Sequence, residues 1–109
     1  MAKKKNRPSS IFIKGTPFDI IYEDVVTDGD EKEELYGLTD VQALWIKISL
    51  SKNTTEELLQ KTLFHEVIHA TLGMGGQGDT IGDEKIEEGI VVCLENGLWQ
   101  LMDFRKGIL

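Results

Sequence analysis

The sequence predicts an α+β fold, a small and mostly antiparallel sheet of three or four strands followed by two helices. Three observations carry that expectation. The first half holds short runs rich in isoleucine and aromatics, separated by turn residues. From Thr54 onward the apolar spacing changes from a period of two to a period near 3.6. The glycine-rich stretch "GMGGQGDTIGD" (73–83) then divides this helical half in two.

In chain order, "MAKKKNRPSS" is basic and polar and has no apolar core, so it is no secretory signal and reads as a disordered tail over 1–10. Residues 11–109 are expected to form one domain. "IFIKG" (11–15) and "FDIIYED" (18–24) predict two strands, joined tightly through Gly15-Thr16-Pro17. "TDGDEKEE" (27–34) is an acidic turn containing Asp28-Gly29, a strong hairpin signal. A strand is expected near Leu35–Thr39. "ALWIKISLS" (43–51) alternates, with Leu44, Ile46, Ile48 and Leu50 on one face.

The first helix begins with a capping box, Thr54 with Glu57, and its apolar pattern runs to Leu72, with Gly73 as the C-terminal cap. The second begins near Asp83 or Glu84 and runs to about Phe104, with Asp103, Arg105 and Lys106 at a fraying end. Its apolar stripe, Ile86, Ile90, Leu94, Leu98 and Leu101, is expected to face the core. Gly73, Gly75 and Gly78 match G-x-G-x-x-G, but that fingerprint must follow a strand and open a helix. Here it follows a helix, so the match is accidental.

The 109 residues suit a modest core, and the net charge of −7 argues against a dedicated nucleic-acid binder. The acidic run lacks the spacing of a calcium loop. Cys93 is the only cysteine, so no intrachain disulfide can form. With Gly89 and Gly97 four residues to either side, it predicts a small-residue stripe for close helix packing. No apolar run approaches the ~20 residues of a membrane span, and the chain is expected to be cytoplasmic. Trp45 and Trp99 read as core or rim aromatics.

"LFHEVIHATLG" (63–73) carries the chemistry. His65, Glu66 and His69 form H-E-x-x-H on an otherwise apolar helix, and these are the chain's two histidines. Imidazoles at i and i+4 share one helix face and can aim their nitrogens at one metal ion. A glutamate at i+1 lies beside that point, placed to take a proton from water activated by Zn2+. The expected ligands are therefore His65 and His69, with Glu66 as general base.

"HEVIHATLG" followed by "EKIEEGIVVCLENGL" resembles the gluzincin arrangement, in which a glutamate on the next helix completes the metal site. Small phage- and prophage-encoded zincin-like proteins are the nearest resemblance, distantly similar to ImmA/IrrE-type metallopeptidases. It covers roughly residues 18 to 103, and H-E-x-x-H is its one specific motif. The resemblance implies a zinc-dependent metallopeptidase acting on a protein or peptide, such as a cytosolic regulatory protein. The other function that fits is a zinc-binding phage accessory protein without hydrolytic activity. The chain departs from larger gluzincins in lacking a histidine outside the motif to stabilise an oxyanion, which leaves Tyr22 or Tyr36.

Three glutamates compete as third ligand: Glu84, Glu87 and Glu88. If the stripe from Ile86 to Leu101 faces the core, Glu87 lies at its edge, while Glu84 and Glu88 turn towards solvent. Glu87 is therefore the expected ligand and Glu88 the runner-up.

Overall fold

A computed structural model describes residues 7–29, 33–75 and 84–106, with backbone alone for Glu84 and for 102–106. Six strands and two helices occur in the order β1 (Ser10–Ile13), β2 (Thr16–Glu23), β3 (Val26–Thr27), β4 (Glu34–Leu35), β5 (Gly37–Asp40), β6 (Trp45–Ser49), α1 (Glu56–Met74) and α2 (Glu84–Lys106). The fold is α+β, as the sequence predicts. Its main sheet has the order β1-β2-β6-β5, antiparallel at both edges and parallel between β2 and β6 at the centre. The two-residue strands β3 and β4 form a separate antiparallel pair.

The hairpin β1–β2 turns on Lys14 and Gly15, whose φ angles are 51° and 81°. Positive φ at both central residues matches the right-handed twist of the strands, and glycine supplies the second without steric cost. The turn therefore lies one residue earlier than Gly15-Thr16-Pro17, and Thr16 and Pro17 already belong to β2. Order also begins before residue 11. Arg7 pairs with Glu56, Pro8 accepts a hydrogen bond from the Tyr22 hydroxyl at 2.8 Å, and Ser9 accepts one from Ile20 N. The expected tail is thus too long by four residues, because these groups find partners on β2 and α1. Its first six residues lie outside the described ones.

Alternation in β2 and β6 builds the core. Phe18, Ile20, Ile46 and Ile48 are buried on the sheet face that meets Leu59 and Ala70 of α1. Leu44 and Leu50 flank β6 and pack against this cluster from outside the strand. Leu44 holds φ at 63°, unusual for a branched side chain. The loop that sets it there is tied by Asp40, whose carboxylate accepts from Gln42 N and Ala43 N at 2.9 Å.

Helix α1 starts one residue later than the capping box predicts. Thr55 is the cap and accepts from Leu58 N at 3.0 Å. It also runs past Gly73 to a cap at Gly75. Gly73 is helical, and Val41 packs where its side chain would be: a Cβ there would lie 2.8 Å from Val41 Cγ1. Residues 76–83, and with them Gly78 of the G-x-G-x-x-G match, lie outside the described residues, as do residues 30–32 of the acidic turn. Among the described residues, no helix is long and apolar enough to cross a membrane.

The largest departure concerns α2. Ile86, Ile90, Leu94, Leu98 and Leu101 are between 36% and 57% exposed, while Val91 is fully buried. The helix turns Val91, Glu88 and Glu95 towards α1, not its longest apolar stripe. Cys93 is exposed, and the space beside Gly89 and Gly97 is open to 4 Å, so the small-residue stripe does not pack α2 on α1. Trp99 does, meeting Phe64 with ring centroids 5.7 Å apart.

Below the site, polar groups are paired with care. Asn53, 5% exposed, donates to Ser49 O at 2.6 Å and Tyr36 O at 3.0 Å, and accepts from the Thr62 hydroxyl at 2.6 Å. One side chain thus ties β6, the start of β5 and the middle of α1. Asn53→Ala takes the acceptor from the buried Thr62 hydroxyl and the second hydrogen bond from two carbonyls that keep backbone partners, and is expected to cost about 1–3 kcal/mol of stability. Denaturant titration of the variant checks this; a loss under about 0.5 kcal/mol would mean that water takes over the bonds.

Candidate metal centre

The site lies where α1, α2 and edge strand β5 meet. On α1, Leu59, Thr62, Glu66 and Ala70 recur at three- and four-residue steps and form the buried face against the sheet. Glu66 therefore points at the sheet, and His65 and His69 stand together on the neighbouring strip towards α2. Their ring centroids are 5.0 Å apart.

Glu66 fits beneath β5 because Gly37 has no side chain. A Cβ on Gly37 would approach Glu66 Cγ to 2.9 Å and Thr62 Cγ2 to 3.1 Å. Thr39, two residues along β5, donates its hydroxyl to Glu66 Oε1 at 2.7 Å. Burial raises the Glu66 carboxyl above its usual range. Thr39 and the two imidazoles pull it down, Glu88 adds to the rise, and the net shift is upward.

Three carboxylates of α2 surround the imidazoles. Glu88 spans them, its Oε1 2.9 Å from His65 Nε2 and its Oε2 2.9 Å from His69 Nε2. The other ring nitrogens have separate partners: Glu95 Oε1 lies 2.9 Å from His65 Nδ1, and Glu87 Oε2 lies 3.1 Å from His69 Nδ1. Residues 88 and 95 lie seven apart, on one face of a helix. Ligand atoms of His65, His69 and Glu88 fall within 4.8 Å of one another, a group able to hold a metal ion.

Of the competing glutamates, Glu88, the runner-up, is the one brought to both Nε2 atoms. Glu87 stands behind His69, on the nitrogen that a shared ion would not use, and Glu88 stands between the two inner nitrogens. The physical reason is helix phase. Val91 and the carboxylates face α1, which turns Glu88 inward although its side chain is 51% exposed. The side chain of Glu84 is outside the described residues. Glu95 is the functional candidate that the sequence reading missed. Its signal was the seven-residue step from Glu88, hidden by the assumption that the leucine and isoleucine stripe faces the core.

A neutral imidazole has one N–H and one lone pair, yet here each ring presents both nitrogens to carboxylates. With one proton per ring, one nitrogen of each sets its lone pair against an acceptor unless a proton or a cation lies between them. Four carboxylates around two imidazoles still leave the cluster acidic. A divalent cation at the Nε2 side would accept the inner lone pairs, leave N–H at Nδ1 for Glu95 and Glu87, and offset negative charge. The donor set of two imidazoles and one carboxylate suits zinc.

The cluster opens onto a cleft of about 1020 Å³ bordered by Tyr36, Leu38, Thr39, Gln42 and Lys61. Of the two candidate tyrosines, Tyr36 borders this cleft. Tyr22 instead bonds Pro8 at the far side of β2, between Arg7 and the sheet. Trp45 packs beneath the Lys47 ammonium, 4.7 Å from its ring centre. Compared with known protein families, curated proteins and solved structures, the chain shows no match.

His65 supplies a pH test. Burial lowers its pKa, but the Glu95 bond and the charges of Glu66, Glu88 and Glu95 outweigh it and leave it above 6.5. A pKa raised by folding stabilises the fold below the unfolded value, and that contribution is lost as pH rises through the folded one. Glu66 acts in the same direction from 4.5 upward, since its ionisation is costlier folded than unfolded. In chelator, stability is therefore expected to fall as pH rises from about 6 to about 8, and His65→Gln should flatten that dependence. A stability that rises over this range in metal-free protein would contradict the arrangement.

Proposed function

We propose that the protein is a zinc-dependent metallopeptidase of minimal size, acting in the cytoplasm on a protein or peptide substrate. One observation carries this reading. Two histidines one helical turn apart aim their Nε2 atoms at one carboxylate, while a different carboxylate backs each Nδ1. His65, His69 and Glu88 would hold the ion, with Glu95 and Glu87 fixing the rings in the tautomer that leaves Nε2 free. Zinc bound there would polarise a substrate carbonyl and acidify a water.

The chain's own residues do the proton work. Glu66 is the general base. Thr39 holds Oε1, so Oε2 takes the proton from water in the cleft and later delivers it to the leaving amine. Its pKa, raised by burial, makes it a stronger base than a free carboxylate, which suits the accepting step. The cleft beside β5 has room for an extended peptide, and Tyr36 at its border is the group available to a developing oxyanion.

Elemental analysis of purified protein is expected to give one zinc per chain. Glu66→Gln should retain that zinc and the fold but lose peptide hydrolysis by at least about a hundredfold. Zinc retained by a wild-type protein that cuts no peptide of a broad library would point to the accessory zinc protein without hydrolytic activity. Protein without zinc would reject both.

The ligand ranking has its own test. Glu88→Ala is expected to weaken zinc binding by several orders of magnitude, and Glu87→Ala or Glu95→Ala only about 10- to 100-fold. Competition titration against a chelator measures each. A larger loss from Glu87→Ala than from Glu88→Ala would restore Glu87 as the ligand.

A further inference from the structure

Helix α2 is held to the rest of the chain by a thin line of side chains. From residue 85 to residue 101, every one is exposed except Glu87, Val91, Glu95 and Trp99. These four recur at four-residue steps and so form a single row along the helix. Glu88, beside that row, reaches both Nε2 atoms. Among the described residues, α2 rests on α1 and has no comparable contact with the sheet. Helix α1 is anchored differently. Its Leu59, Thr62, Glu66, Ile68 and Ala70 are buried, and it packs on β1, β5 and β6.

The row on α2 is half acid. Among the described residues, Val91 is its fully buried apolar side chain, and Trp99 against Phe64 adds one aromatic contact. Glu87, Glu88 and Glu95 make the other contacts, with His65 and His69, and share the cleft with Glu66. The helix also contributes little stability of its own. Gly89 and Gly97, with the β-branched Ile86, Ile90, Val91 and Val92, are weak helix formers. Helices in proteins draw most of their stability from packing. Here the packing is a few apolar groups and three carboxylates set against two bases and a fourth carboxylate.

We infer that α2 is a metal-gated element, docked on α1 when a divalent cation ties Glu88 to His65 and His69, and released without one. This rests on the metal-binding part of the function proposed above and is independent of hydrolysis. Glu87, Glu88 and Glu95 line the cleft together with residues of β5 and α1. The third ligand, the groups behind both imidazoles and one wall of the cleft therefore arrive together with the ion. His65, Glu66 and His69 keep their places without it, because the sheet holds α1. Metal supply thereby decides whether a complete cleft exists.

Amide hydrogen exchange on the full chain, in chelator and with excess zinc, tests the gate. Zinc should slow exchange over residues 84–101 at least about a hundredfold, since an ion that binds the docked form stabilises it by its excess over Kd. Amides of β2, β6 and α1 should change little. The far-ultraviolet helical signal should fall by about half in chelator, because α2 holds 23 helical residues and α1 19. In Trp45→Phe protein, acrylamide should quench Trp99 fluorescence more readily in chelator than with zinc. Glu88→Ala should abolish the zinc effect, and Asn96→Ala, on an exposed side of α2, should keep it. Zinc binding with no change over 84–101 would overturn the gate and leave the metal centre standing. Protection gained evenly over sheet and helices would be ordinary ligand stabilisation and would overturn it equally. A chain that binds no zinc would reject the centre and the gate together.

Discussion

Everything distinctive about this molecule depends on how α2 lies on α1. The sheet and α1 already hold His65, Glu66 and His69, but two imidazoles at a protein surface are only a pair of bases. Glu88 turns them into a site by setting one carboxylate against both Nε2 atoms. Glu95 and Glu87 complete it by occupying the outer nitrogens. The cost is electrostatic, because three acids of one helix meet a fourth, Glu66, that is 7% exposed. A divalent cation held between the rings would relieve part of that repulsion. Docking of the helices and charge in the cluster are therefore one problem with one solution.

The sheet answers a different need, which is to keep Glu66 buried and still usable. A carboxylate in such a place must be bonded or it will take up a proton and become inert. Thr39 provides one bond, and the missing side chain of Gly37 provides the space. Both belong to β5, the edge strand, which also borders the cleft. The strand that tunes the base thus lies where a substrate would pass. The Asn53–Thr62 bond one turn earlier on α1 anchors the helix to the same part of the sheet, so the orientation of Glu66 is inherited from a buried polar network.

How legible this was from the chain divides by range of interaction. Local chemistry read well: Lys14-Gly15 near the expected turn, Ile46 and Ile48 alternating into the core, and H-E-x-x-H on a helix. Ends of elements shifted by one or two residues. Thr55, not Thr54, is the cap, and α1 continues past Gly73, a residue that usually stops helices, where Val41 fills the space a side chain would take. The parallel pairing of β2 with β6 was not legible, because hydrophobic alternation carries no strand direction.

The phase of α2 was the costly error, and it is instructive. A stripe of five large apolar residues is ordinarily taken as the inward face, since burying it yields the most free energy. That inference assumes one interface per helix. α2 has a narrow one through Val91 and Trp99 towards α1, shared with acids that face the histidines, and leaves its broad apolar face exposed. Periodicity reports the broader face, whichever surface finally covers it. The carboxylates were the better guide to orientation, because four buried or half-buried acids have far fewer acceptable surroundings than five leucines and isoleucines. In a chain this small, the polar residues that need specific partners constrain the packing more tightly than the apolar residues that accept almost any.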